Sequence, residues 1–274
     1  MIKICDSHND LLYKLKNDND IKNYLGTLPK GIEKLFCAYF SYDNEKWASV
    51  EDIAKKFQSL KSFKNAIPSV ENCWFVNEAN LYDFIHCRPF CATLTHNTDN
   101  KLCGGALGNG DITILGGKVI RSFEKHNIFV DTAHMNEKSF WSFCNLSTKP
   151  LFNSHTGFNF FFTHKRNLSN SQIMEIVRSR GYIGLAMYPY FFSNYLITSN
   201  KFCEIICKFW DKFGTKTLGF GTDFNGIEVL PKDITNYNDL TKIAIKLKRM
   251  GASDEEVDSL FSGNLMHFMN SNSR

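Results

Sequence analysis

Residues 2–10 read IKICDSHND, a short apolar and β-branched run that stops abruptly in five polar residues. A strand that feeds a turn without a single glycine is unlike the Gly-rich first turn of a dinucleotide-binding open sheet. It ends instead in side chains that can bind a cation or carry a proton. The pattern repeats along the chain: further short runs start at Ile32, Ala66, Arg88, Ile128, Pro150, Tyr182 and Thr217. Stretches of helical period lie between them, most clearly over 49–64, 115–126, 136–147, 170–180, 199–213 and 239–250. Eight strands alternating with helices in 274 residues predict an α/β fold, a TIM-type (β/α)8 barrel with its active site at the C-terminal ends of the strands.

Composition narrows the class. At 43% hydrophobic and 22% charged residues, with no Pro/Gly/Ser linker and no repeat, a single barrel domain over residues 1–274 is expected. The net charge of +4 comes from scattered basic residues, which leaves no electrostatic stripe for a nucleic acid. No run of 18 apolar residues exists, and the polar N-terminus offers neither a signal peptide nor a membrane span. Nine cysteines without a CxxC pair argue for reduced thiols and a cytoplasmic location.

Position is the informative feature of the polar residues. His8 and Asp10 close the first run, Glu71 the third, His96 the fourth, His134 the fifth, His155 the sixth and Asp223 the eighth. In a barrel those ends converge on one mouth. The period of two along a strand puts His8 and Asp10 on one side, where they can share a cation. Glu71 follows Ile67, Pro68, Ser69 and Val70, so its carboxylate would be buried and costly unless compensated, and a bridging role between two cations suits it. Arg166 falls in the loop after the sixth run, on the mouth side, with a guanidinium suited to a substrate carboxylate. His86, His126, His164 and His267 fall in helices, loops or the tail and are given no role.

The segments DSHND (6–10), PSVEN around Glu71, ATLTHN ending in His96 and Asn97, FVDTAH ending in His134, FNSHT around His155, KRNLSNSQI around Arg166, FGTDFNG around Asp223 and SGN (262–264) resemble the membrane dipeptidase family of amidohydrolase-like barrels, in that family's order. The resemblance implies that His8, Asp10 and Glu71 hold one zinc ion, and Glu71, His134 and His155 a second. It further implies that His96 contacts the substrate carbonyl, Arg166 the substrate carboxylate and Asp223 the bridging water. Mn, Co or Fe would suit the same donors. Three positions depart from the family pattern. Asn72 follows Glu71 where glycine is usual, Asn225 replaces the second aspartate of DFDG, and His267 lies near the place of the C-terminal arginine.

The expected function is therefore a metallo-dipeptidase acting on a small dipeptide through a hydroxide that bridges two divalent ions, with Asp223 and His96 catalytic. Neither nucleic acid nor membrane is an expected partner, and a homo-oligomer is compatible with the reading. Three rivals stay open on the residues alone: another amidohydrolase-type hydrolase of small amides or acylated amino acids, a catalytically silent barrel that binds metal or peptide, and a purely structural barrel whose strand-end histidines are fortuitous.

Overall fold

The computed structural model describes residues 2–15 and 17–272. Eight parallel strands close into a barrel in sequence order: β1 (Ile4–Asn9), β2 (Ile32–Phe40), β3 (Ala66–Glu71), β4 (Cys91–Thr93), β5 (Phe129–Asp131), β6 (Phe152–Thr156), β7 (Tyr182–Leu185) and β8 (Leu218–Phe220). Each begins at or just after the start of an expected run. Parallel neighbours need a crossover, and helices between the strands supply it. Val50–Leu60, Ile114–Lys125, Glu137–Leu146 and Asn170–Arg178 are each capped by the side chain just ahead, from Ser49, Thr113, Asn136 and Ser169 respectively. Such caps satisfy backbone N–H groups that have no partner inside the helix.

Several helices differ from the sequence expectation. The helix expected over 239–250 is split into a 3₁₀ turn, Tyr237–Leu240, and an α-helix, Thr241–Arg249. An additional helix, Asp18–Thr27, forms from a polar stretch that buries only Ile21 and Leu25, too thin a stripe to show as periodicity.

Side chains sort by height inside the barrel. The lower half is an aromatic plug in which Phe152 stacks on Phe36 at 5.9 Å and on Tyr182 at 5.6 Å between ring centroids. The C-terminal helix Asn264–Asn272 seals that end, with Phe268 lying 5.0 Å from Phe129 and 5.3 Å from Phe152. Asn264 of the SGN segment anchors the seal by donating to the carbonyls of Thr215 and Leu218, both at 2.7 Å. Above the plug the interior turns polar. Ser7 Oγ donates to the carbonyl of Ser154 at 2.6 Å and to that of Phe220 at 2.9 Å, which ties β1 across to β6 and β8 just beneath the mouth.

Candidate metal centre and active site

At the mouth, the side chains singled out in the sequence converge. His8 and His155 project from within β1 and β6, Asp10 directly follows β1, and Glu71 ends β3. His96, His134 and Asp223 lie three residues beyond the last residues of β4, β5 and β8, on loops that fold back over the barrel. His134 and Asp223 reach inward through left-handed backbone, with φ of 67° and 62°. Such a conformation is uncommon for residues other than glycine and is found at sites where geometry is imposed. The next helical element after Asp223 begins at Tyr237, so Asp223 is no helix cap.

The distances define a compact cluster. His8 Nε2 lies 3.3 Å from Asp10 Oδ2, 3.6 Å from Glu71 Oε2 and 3.9 Å from Asp223 Oδ1. The other Glu71 oxygen, Oε1, lies 2.8 Å from His134 Nε2 and 3.7 Å from His155 Nε2, and the two imidazole nitrogens are 2.9 Å apart. Glu71 therefore faces His8 with one oxygen and the His134/His155 pair with the other. His96 stacks on His134 with ring centroids 4.2 Å apart, completing one side of the centre.

Burial governs the electrostatics. Desolvation alone would raise Glu71, but His8 and His134 beside it outweigh burial and hold its carboxyl well below the usual range. Burial disfavours a charged His8, yet Asp10 and Glu71 reverse the sign and push it well above the ordinary imidazole value. His134 and His155 go the other way, pushed well below it by burial and then by neighbouring cations. Asp223 is driven well above the ordinary carboxyl range by burial first and the Asp10 charge second.

The donor set fits a divalent cation on three observations. Asp10 Oδ1 is buried with no hydrogen-bond partner. His134 Nδ1 lies 3.1 Å from Asn97 Oδ1, a contact that turns the ring so that Nε2 faces the cluster. That nitrogen faces a carboxylate oxygen at 2.8 Å and a second imidazole nitrogen at 2.9 Å, a nitrogen and oxygen set of the kind that holds a divalent cation. Thirdly, a Cβ on Gly226 would collide with the carboxylates of Asp10 and Asp223, so the small residue keeps the space between them clear. His155 is held in turn by Ser154 Oγ, 2.9 Å from its Nδ1.

A layer below, buried aspartates brace the segments that carry the cluster. Asp6 Oδ1 accepts from the backbone N–H of Thr222 at 2.7 Å and of His8 at 3.2 Å, while Oδ2 accepts from Thr222 Oγ1 at 2.6 Å. Asp131 Oδ1 accepts from the N–H of Ala133 at 3.0 Å and of Ser154 at 2.9 Å. Neither aspartate was singled out in the sequence, although each precedes a histidine by two or three residues, in DSH and DTAH.

Two of the three departures from the family pattern are accommodated by local hydrogen bonds. Asn72 sits at φ 67°, which suits glycine and is tolerated by asparagine, and its amide donates to the Ser41 carbonyl and Asp43 Oδ1, both at 2.9 Å. Asn225, at φ 69°, donates to Asn9 Oδ1 at 2.9 Å and to the Tyr24 hydroxyl at 3.0 Å. His267 is exposed on the C-terminal helix, at the opposite end of the barrel from the cluster.

A cavity of about 460 Å³ opens above the cluster and includes His96, Arg166 and Asp223 in its lining. Arg166 is 8% exposed, and no carboxylate of the described residues lies within 4.0 Å of its guanidinium. It donates to His155 Nε2 at 2.8 Å and lies over the Phe191 ring at 5.6 Å. Burial lowers its pKa to about 10, so it stays charged at neutral pH.

The membrane dipeptidase (peptidase family M19) pattern matches residues 77–273. The chain belongs to that family. An uncharacterized dipeptidase of Schizosaccharomyces pombe is 25% identical over 220 residues, covering 77% of this chain and 54% of that protein. The chain thus spans about half the length of the curated relatives it matches. Among solved structures, a Rhodobacter sphaeroides metallo peptidase liganded with a phosphinate mimic of L-Ala-D-Ala superposes with a TM-score of 0.80, at 16% identity over 98% of this chain and 99% of that one. A Pseudomonas aeruginosa amidohydrolase gives 0.81 at 15% identity, over 99% and 96% of the two chains. These structural likenesses establish the barrel of this M19 member. No helix among the described residues is long and apolar enough to cross a membrane.

Proposed function

We propose that this M19 member is a metallo-dipeptidase. One observation carries the reading: a nitrogen and oxygen cluster suited to cations shares a single cavity with a buried guanidinium that has no carboxylate partner. A dipeptide is the ligand whose ends match, with a scissile carbonyl for the cluster and a free carboxylate for Arg166.

In this reading His8, Asp10 and Glu71 hold one divalent ion, and Glu71, His134 and His155 hold a second, with zinc the natural occupant of such donors. Bound there, the ions supply Lewis acidity and bring the pKa of water toward neutrality. The chain's own groups do the rest. His96, whose pKa is lowered by burial, donates one N–H to the carbonyl oxygen as negative charge develops on it. Asp223 takes the proton of the attacking water on a carboxylate oxygen and returns it to the leaving amine. Arg166 fixes the register of the peptide by pairing with its carboxylate. None of the cysteines or serines is needed as a nucleophile.

The test is hydrolysis of L-Ala-L-Ala and L-Ala-D-Ala by zinc-supplied protein, with metal content measured on the same sample. The ligand of the Rhodobacter structure makes the second peptide a natural choice. Cleavage with two ions bound is the expected result. Fully metallated protein that cleaves neither peptide would overturn the reading.

A further inference from the structure

The cavity above the cluster has two unlike ends. Arg166 marks one of them, beside Phe191. Beyond His96 at the other, three aromatic rings pack edge to face: Tyr13 and Phe40 at 5.0 Å, Phe40 and Tyr42 at 4.8 Å, Tyr13 and Tyr42 at 6.1 Å. Phe40 also lies 4.9 Å from the His96 ring, so this wall continues directly from the group placed at the scissile carbonyl. Tyr42 is 53% exposed and Leu107, which also lines the cavity, 63% exposed. Large apolar side chains left open to water around a cavity are surfaces that a ligand covers.

Resting on the dipeptidase reading, we infer that the Tyr13, Phe40 and Tyr42 wall selects dipeptides whose N-terminal residue carries a large apolar or aromatic side chain. The placement follows from the geometry of a dipeptide. Once its carboxylate is on Arg166 and its carbonyl beside His96, the N-terminal side chain lies on the far side of the scissile bond, toward the wall. Rings standing edge to face offer that side chain both apolar area and a favourable aromatic geometry. Glycine at the same position leaves the wall wet.

The test compares kcat/KM for Phe-Ala and Gly-Ala with metallated wild type, Tyr42→Ala and Tyr42→Phe. Covering an aromatic side chain supports a wild-type Phe-Ala to Gly-Ala ratio of about 10 to 100. That ratio falls to about 3 or less in Tyr42→Ala and returns in Tyr42→Phe, which keeps the ring. Because Tyr42 stands at the exposed rim, its truncation leaves the core intact. A wild-type ratio near one, or a ratio unmoved by Tyr42→Ala, overturns the specificity inference while the dipeptidase reading stands. Hydrolysis of neither peptide overturns both.

Discussion

Asn97 Oδ1 lies 3.1 Å from His134 Nδ1, and this contact sets which nitrogen of the ring faces the cluster. Asn97 is next to His96 in sequence but serves a histidine on the neighbouring loop, so one short segment aims two rings. Partners of this kind typically change metal affinity by about 10- to 100-fold when removed. Asn97→Ala is therefore expected to weaken one of two binding events by about that factor when zinc is titrated into chelator-stripped protein, leaving the other nearly unchanged. Two unaltered affinities would show that the His134 ring is oriented by packing on His96 alone.

Gly226 tests the cluster from its open side. A methyl group there would collide with the carboxylates of Asp10 and Asp223. The residue is exposed and lies in a loop, so Gly226→Ala should melt within a few degrees of wild type and yet bind less metal and lose most activity. Full metal content in Gly226→Ala would mean that the loop moves aside and the two carboxylates are less constrained than they look.

The bracing layer is separable from the chemistry by its effect on stability. Asp6 is fully buried, and its carboxylate accepts from two N–H groups and two hydroxyls, those of Thr222 and Tyr237. Asp6→Asn turns an amide NH₂ toward at least one of these donors and leaves buried groups unsatisfied, at a cost on the order of 3 kcal/mol. At about 2–4 °C per kcal/mol for a chain of this size, Tm should drop by roughly 6–12 °C. Scanning calorimetry of metal-free protein reads this without interference from the site. An unchanged Tm would remove the bracing role.

What the sequence reveals and what it conceals follow from how far each feature depends on neighbours. The barrel was legible because every strand is a local apolar run, and helices such as Asn170–Arg178 announce themselves with Ser169 and Gln172 in a capping box. The gathering of His8, Asp10, Glu71, His134 and His155 at one mouth follows from where they fall relative to those runs. Asp6 and Asp131 were not legible, since a buried aspartate that satisfies backbone N–H groups on another strand looks in sequence like any polar residue. Nor was the conformation at Asn72 and Asn225, where asparagine replaces the residue a left-handed turn prefers and gains hydrogen bonds that depend on distant loops. The aromatic wall sets Tyr13, from the segment after β1, against Phe40 and Tyr42 at the end of β2, and exists only once those two strands pair.

Asp223 carries the most specific chemical expectation. Asp223→Asn keeps size and hydrogen bonding but removes the base, so kcat should fall by about 10²-fold or more. Metal content should stay near two per chain, because His8, Asp10, Glu71, His134 and His155 are untouched. Turnover at the wild-type rate would assign the proton to another group.

The final expectation separates a dipeptidase from a general amidase through Arg166. A guanidinium buried without a carboxylate partner is an unfavourable arrangement until an anion arrives, and a charge-assisted contact away from bulk water contributes about 1.5–3 kcal/mol. Amidating the C-terminus of a dipeptide deletes the anion, so wild-type kcat/KM should fall by about 10- to 100-fold. Arg166→Ala should lose a similar factor on the free acid and respond little to amidation, because both changes remove the same contact and their effects do not add. Arg166 also donates to His155 Nε2, so zinc content must be measured on the variant to separate loss of the clamp from a change at the metal ligand. Tripeptides should be poor substrates, since their carboxylate overshoots Arg166 when the first carbonyl sits beside His96. Equal cleavage of free and amidated dipeptides by the wild type would refute the clamp and favour hydrolysis of a wider class of small amides.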